Sequence, residues 1–528
     1  MPRPCVATRW PTTRRRPKMT ERRSVDRTLL PHSALATAAD EPVTVVHVAA
    51  EFYPYARSGG LAEAVANLAR FQSRAGVRSM AILPLYRSAR AKAGTLVPFG
   101  EPFEVPLGHR TETVRLLTAA EPAPGTQLFF LEHDGFYDRP RLYGDAAGDY
   151  PDNPVRFGLF ALASVMALPM LSTGPILLHV HDWHAALALA YLKTRFADDE
   201  RYRRVATVLS IHNAGYQGHY PPAVLPELGL PWSLFNWRQL EWYGKVNFLK
   251  AGLAFADHVI TVSPNHVIEL RTAEGGFGLQ EVFASLGDRL SGILNGIDLD
   301  EWDPQTDTQI AVSFSPEDPA GKAACKRALQ ERFGLTINPT IPIVGMAARL
   351  VTQKGLDLVI GSYALFELPA QFVFIGAGEA RFELALGQIA AMMPDRVAIE
   401  TNFTDELEHQ VMAGADFLLM PCQYEPCGLT QMRAQRYGVV PIVRRVGGLV
   451  DTVEDGVTGL VFDPYEAASL VGASLRGIDT YYNPFEWQRM LATTMRRDFS
   501  WERSVTAYLE VYRGVIRSLD GLPVGREA

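Results

Sequence analysis

Short, almost wholly apolar runs alternate with helical stretches along this chain: VTVVHVAA, SMAILPL, PILLHV, ATVLSI and HVITVS first, then IPIVGMA, QFVFIGA, DFLLMP and VVPIVR. Runs of Val, Ile and Leu without polar interruption read as strands buried on both faces. A strand–helix–strand rhythm builds parallel sheets whose crossovers are the helices. No internal repeat with a period of roughly 20 to 50 residues is visible, which sets solenoids aside.

The rhythm lapses near residues 295 to 340, where NGIDLDEWDPQTDTQIAVSFSPEDPAGK is rich in Asp, Pro and Gly. At 528 residues the chain is too long for one core. The reading is therefore two doubly wound α/β domains, 41–295 and 341–498, joined by a linker region at 296–340. Ligands of such sheets bind beyond the carboxyl ends of the strands, so two facing domains put the site in the cleft between them. RSGGLAEAV at 57–65 is echoed by RVGGLVDTV at 445–453, which agrees with two related halves.

Composition narrows the function classes. A net charge of −7 lacks the basic balance of a nucleic-acid binder. Four scattered cysteines give no disulfide framework, and Cys422 and Cys427 lack the companions of a zinc site, so buried thiols in a reducing cytoplasm are expected. Residues 1–40 are Arg-rich without the apolar core of a secretory signal. They read as a disordered tail, as a targeting segment, or as an upstream start-codon error with true initiation at Met19 or later. The apolar run from Phe157 to Val180 has the length to span a membrane, but Pro169 and the STGP break resolve it into a helix, a turn and a buried strand.

Several loops carry chemistry. Gly59 and Gly60 let the backbone approach an anion at a helix start, with Arg57 adding full charge. Arg349 and Lys354 follow the strand IPIVGMA in a loop before a helix expected near Gly355, and two cations there suit a diphosphate leaving group. QFVFIGAGEARFE lacks the third glycine of a dinucleotide fingerprint, since Arg381 occupies its place, and this argues against hydride transfer. In HVHDWHAALALAYL the residue order does not suit a metal hydrolase. His181, at the strand end, is expected to face the cleft, with His179 and His184 structural. Glu425 follows DFLLMP, and Gly428, Leu429 and Thr430 open a helix, so one carboxylate lies beside an anion-binding helix end. No partner carboxylate suggests glycoside hydrolysis.

From about residue 43 to 516 the chain resembles bacterial glycogen synthases and plant starch synthases. The motifs are the GGL loop, YPDNPVRF, HDWHA, IHNAGYQG, KVNFLKAGLAFADHVITVSP, LNGIDLDEWDP, ARLVTQKGLD, EPCGLTQMRAQRYG and VRRVGGLVDTV. The resemblance implies the GT-B architecture: two Rossmann-like domains around a deep cleft, with a helix within 499–528 crossing back onto the first. It implies a retaining glucosyltransferase that uses no metal or other cofactor. Its partners would be a nucleotide-sugar, ADP-glucose by the bacterial likeness, and an α-1,4-glucan acceptor such as glycogen or a maltooligosaccharide. Nucleic acid and membrane are not among them.

By motif position, Arg349 and Lys354 would grip the donor diphosphate and Glu425 would hold the glucose ring. Gly428, Leu429 and Thr430 would bind phosphate through backbone, and His181 would contact the 6-hydroxyl. Asn247 would lie beside the sugar, and Asp152 on the acceptor side. Arg57 stands where the family usually has lysine, which bears on donor affinity and domain closure. Covalent attack by Glu425 and a same-face mechanism both remain open. A non-catalytic binding module, and a phosphorylase or sucrose-type synthase, are the rival classes.

Overall fold

The computed structural model describes residues 35–37, 40–120, 125–145 and 148–517, all within one compact unit that begins at residue 34. Of the Arg-rich tail, residues 1–34 and 38–39 lie outside the described residues. Leu35 is buried against Val43, so the described end of that segment belongs to the first core.

Seven parallel strands form the first sheet: β1 (Thr44–Val48), β2 (Arg78–Pro84), β3 (Gln127–Glu132), β4 (Ile176–His181), β5 (Val205–Ile211), β6 (His258–Thr261) and β7 (Leu290–Gly292). Their spatial order is β7-β6-β5-β4-β1-β2-β3, extended past β3 by the antiparallel strand Arg110–Ala119 and its two partners. The second sheet holds β8 (Ile343–Ala347), β9 (Gln371–Ile375), β10 (Val397–Glu400), β11 (Phe417–Met420), β12 (Val440–Arg444) and β13 (Leu460–Phe462), in the order β10-β9-β8-β11-β12-β13 and all parallel. Counted within each sheet, both contain the order 3-2-1-4-5-6 of dinucleotide-binding folds, the first adding a seventh strand at the end. The order of strand addition reverses between the first and fourth strands, β1/β4 in one lobe and β8/β11 in the other, while all four run parallel.

Helices cover both faces because strands such as β1 and β5 are buried along their whole length. On one face of the first sheet lies α1 (Gly60–Arg74), which turns Ala64, Val65, Leu68 and Gln72 inward. The other face holds α2 (Asn153–Leu171) and α3 (Asp182–Thr194). Helix α2 is apolar all round and therefore has to be enveloped. It is the one described helix long and apolar enough to cross a membrane, and 83% of that window is buried inside the protein. Pro169 lies in its last turn, and a short turn leads into β4.

The stretch 296–340 is not a free linker. It contains α4 (Ala320–Arg332), whose Lys322 donates to the carbonyls of Ala413 and Tyr437, while Lys326 pairs with Asp416 at 2.7 Å. Trp302 stacks on His409 with ring centroids 3.9 Å apart, and Asp307 accepts from Tyr437. Apolar residues hidden among the acids and prolines make this segment part of the second core. The chain crosses between lobes twice at one place, where Ile297 and Ser500 bridge in parallel. After the second crossing α5 (Trp501–Ile516) packs beside α1 on the first sheet, burying Trp501, Tyr508 and Tyr512. Truncating an aromatic of this size to Ala costs about 3–5 kcal/mol.

Candidate active site

Both reversal points open toward the cleft, and the loops leaving β1, β4, β8 and β11 carry most of the sequence-selected residues. Glu425 follows β11 and is buried, 8% exposed, in an ion pair with Lys354 from the loop after β8. Burial opposes the ammonium charge, but the adjacent Glu425 carboxylate outweighs it and raises the Lys354 pKa above its ordinary value. Cys422 lies 3.8 Å from the same carboxylate, and burial pushes its thiol up to about 12, so it stays protonated. Cys427 is likewise buried with its thiol raised to about 12.

Two backbone approaches align this pair. A Cβ on Gly355, whose φ is +79°, would fall 2.0 Å from the Pro421 carbonyl oxygen, so only glycine lets the two loops meet. The Gln353 carbonyl then accepts from Gln423 N–H at 2.8 Å. Helix α6 (Leu356–Ile360) starts directly after Gly355.

Arg349 is exposed, and no described residue pairs with its guanidinium. Its loop rests on the GAG turn: Leu350 N–H donates to the Ala377 carbonyl at 3.0 Å, and a Cβ on Gly376 would lie 1.9 Å from the Ala348 oxygen. Those glycines thus support the Arg349 loop. Beyond Glu425, Gly428 has φ +72° and Leu429 precedes α7 (Thr430–Arg436); all three motif residues are half-exposed beside the pair.

Across the cleft, Gly59 and Gly60 open α1 with empty space where a side chain would stand, and no side chain caps the helix. The echo at 447–448 is different. There a Cβ on Gly447 would meet the Glu425 carbonyl oxygen at 1.9 Å, and Gly448 N–H donates to that oxygen at 3.1 Å. One glycine pair leaves room for a ligand; the other anchors the Glu425 loop.

Glu51 escaped sequence reasoning. It is buried just past β1 and accepts from the Ser58 backbone N–H at 2.6 Å and the Tyr143 hydroxyl at 2.7 Å, which fixes the Arg57 loop. An acid placed between a buried strand and a glycine loop was the available signal. Arg57 itself contacts Glu63 at 3.1 Å and, from the second lobe, Asp405 at 3.4 Å. Glu63 also reaches across to Arg433 at 2.5 Å, which in turn pairs with Glu408.

Three of the sequence-selected residues are engaged by partners within the protein. His181 is fully buried, and both its ring nitrogens are occupied, by His47 at 3.0 Å and His212 at 3.1 Å, so it offers no free nitrogen to a sugar. Asn247 is also fully buried. Its oxygen caps a helix by accepting from Lys250 N–H, and its amide donates to Gln217, so it positions backbone instead of facing the cleft. Asp152 is held by both Arg139 terminal nitrogens; burial raises its carboxyl pKa, but the Arg139 bonds prevail and hold it below the usual range.

Ligand atoms of His47, His179 and His181 lie within 4.8 Å of one another, the arrangement of a possible metal centre. Yet His47 bonds Gln72 and His181, and His179 bonds Ser210 and Tyr512, so none of the three rings has a nitrogen left over. The donor set does not fit a metal in this arrangement.

Comparison with known proteins agrees with this geometry. Residues 44–285 match the family described as starch synthase catalytic domain, and residues 329–479 match glycosyl transferases group 1. The chain is 40% identical over 477 residues to a glycogen synthase of Anaeromyxobacter dehalogenans, covering 89% of this chain and 99% of that one. It is 38% identical over 481 residues to a glycogen synthase of Syntrophotalea carbinolica, covering 90% and 99%. The catalytic domain of starch synthase IV from Arabidopsis thaliana, solved bound to ADP and acarbose, superposes with a TM-score of 0.81 at 30% identity, covering 90% of this chain and 100% of that one. A sucrose-phosphate synthase from Thermosynechococcus elongatus, 18% identical with a TM-score of 0.57 and covering 90% of this chain and 100% of its own, shares the fold. With two reversal points facing one cleft and identity sustained along nearly the whole length of its relatives, the chain belongs to the glycogen and starch synthase family of glycosyltransferases.

Proposed function

We propose that this protein transfers glucose from ADP-glucose to the non-reducing 4-hydroxyl of an α-1,4-glucan, keeping the α configuration. The observation that carries the reading is the buried Lys354–Glu425 pair with the unpaired Arg349 guanidinium beside it, at the reversal point of the second sheet. Breaking the bond between glucose C1 and the diphosphate leaves negative charge on the departing nucleotide. Arg349 and Lys354 neutralise it, in a site whose groups are already placed. Glu425, an acceptor-only carboxylate, takes hydrogen bonds from the sugar hydroxyls. The departing phosphate oxygen takes the acceptor proton on the same face of the ring.

Arg57, Gly59 and Gly60 supply anion contacts from the first lobe, and Gly428, Leu429 and Thr430 supply them from the second. Asp152 lies toward the glucan. The reaction needs the nucleotide-sugar and a glycogen or maltooligosaccharide acceptor, with no further cofactor, nucleic acid or membrane, and it takes place in the cytoplasm. Initial rates with glycogen as primer test this directly. ADP-glucose should be used with a kcat/KM at least about tenfold above that of UDP-glucose, a difference of about 1.4 kcal/mol. Preference for UDP-glucose would reject the donor assignment, and equilibrium binding without glucan elongation would reject the reaction.

A further inference from the structure

Strand periodicity gathers three imidazoles on one sheet face, and two of them join His212 in a hydrogen-bonded line. His47 on β1 pairs in register with His179 on β4, and His181 lies two residues further along, so all three share the sheet face that α1 and α5 cover. From α1, Gln72 Oε1 meets His47 Nε2 at 2.9 Å; His47 Nδ1 meets His181 Nε2 at 3.0 Å; His181 Nδ1 meets His212 Nε2 at 3.1 Å. His212 is the first residue past the carboxyl end of β5. It is half-exposed and fixed by its backbone N–H on Asp182 Oδ1 at 2.7 Å. No described residue bonds its Nδ1. Asn213 follows, and the side chains of Asn213 and of Tyr424 in the opposite lobe lie 3.1 and 3.3 Å from the place where a Cβ on Gly215 would stand. The line therefore runs from the helix layer to the cleft wall beside Glu425.

Burial holds these rings neutral: it lowers His47 and His212 to about 4, and carries His181 well below its ordinary value. A neutral imidazole has one donor and one acceptor, so fixing one end of the line fixes every ring. Gln72 Oε1 only accepts. The other half of its amide donates to the Tyr512 hydroxyl at 3.0 Å, and Tyr512 faces His179 Nδ1 at 2.7 Å. His47 must then carry its proton on Nε2 and accept on Nδ1; His181 and His212 follow in the same sense.

We propose that Gln72 sets the tautomer of His47, His181 and His212 in turn, so that His212 Nδ1 presents a lone pair to the cleft and accepts a hydrogen bond from one hydroxyl of the transferred sugar. His212 is then a specificity-determining residue, with Gln72, His47 and His181 as positioning residues. The hydroxyl contact rests on the glucosyl-transfer reading above; the directed line of rings does not.

Two measurements on the full chain test it. In protein carrying ¹⁵N-labelled histidine, ring nitrogen correlations, assigned with single-histidine variants, should show His47, His181 and His212 all protonated on Nε2. Gln72→Glu should preserve that sense and Gln72→Met should relax it; protonation of these rings on Nδ1 in the native protein overturns the proposal whatever the turnover. The second uses ADP-glucose analogues in which each sugar hydroxyl is replaced in turn by hydrogen or by fluorine. At one position both replacements should lower kcat/KM about tenfold, because neither can donate. His212→Phe should erase that penalty and His212→Asn, which keeps an acceptor, should restore part of it. Recovery with fluorine, or a penalty independent of His212 at every position, overturns the contact. Failure of the native protein to use unmodified ADP-glucose rejects the glucosyl-transfer reading instead, and the ring spectra then judge the directed line alone.

Discussion

The Arg57 guanidinium stands between carboxylates of opposite lobes, Glu63 at 3.1 Å on α1 of its own lobe and Asp405 at 3.4 Å at the start of the helix Asp405–Gly414. In the proposed donor role of Arg57, a diphosphate would compete with Asp405 for the same N–H groups. Both side chains are well exposed, so the contact is worth at most about 1 kcal/mol. Asp405→Asn should therefore lower the donor KM by up to about fivefold with kcat unchanged, and the difference should shrink as salt is raised. Steady-state kinetics at two ionic strengths check this.

Lys354 and Glu425 act as one charged unit. Lys354→Ala and Glu425→Ala should each reduce kcat by at least about a hundredfold, the scale of losing preorganised electrostatics. The double variant should cost little more than either single one, since removing one partner already strands the other. Turnover measured beside circular dichroism separates this from unfolding; full activity in either single variant rejects the assignment.

The two Gly-Gly turns should respond oppositely. Gly447→Ala forces a side chain onto the Glu425 carbonyl at a φ of +45°, so it should lose stability by more than about 1 kcal/mol together with activity. Gly60→Ala enters open space inside a helix and should leave the unfolding midpoint unchanged or slightly raised while weakening donor binding. Denaturant titration and donor KM distinguish the two cases.

Acid should destabilise the fold early. Burial lowers His47, His212 and His266 to about 4 and His184 to about 3, against an unfolded value of 6.5. Between those values the unfolded chain binds protons that the folded one refuses, so stability falls as pH drops through 6.5 and continues to fall to about 4. Each histidine contributes about 1.4 kcal/mol per pH unit within that window. Asp182, raised by burial to about 7, works in the opposite sense, as do Glu269, Glu301 and Asp451, also raised by burial, while His179 and His181, carried well below their ordinary value, add to the histidine side. Urea unfolding at pH 7, 6 and 5 should show the midpoint dropping at each step.

Legibility in the sequence followed locality. Uninterrupted Val and Ile runs located the parallel strands, and the loops after IPIVGMA and DFLLMP located Lys354 and Glu425, because a strand's carboxyl end is a local property. The second-lobe character of 296–340 was hidden, since Trp302, Phe314 and Leu329 are spaced among acids and prolines and find their partners only in three dimensions. His181 was placed at the cleft by its position at the end of β4. What that position did not show is His47, distant in sequence, which occupies one ring nitrogen through a strand register that spacing within HVHDWHA does not encode. Glu51 was passed over for a similar reason: its importance lies in the Ser58 N–H it receives.

The helix Trp501–Ile516 completes the hydrophobic layer over strands that begin at Thr44 and end by Thr261, with Trp501 against Phe71 and Tyr512 against His179. On the ribosome the first lobe therefore emerges with one flank uncovered, and the second lobe has to be synthesised before that flank closes. Nascent chains halted before Trp501 should expose this surface to chaperones, whereas the second sheet has all six of its strands in place by Phe462.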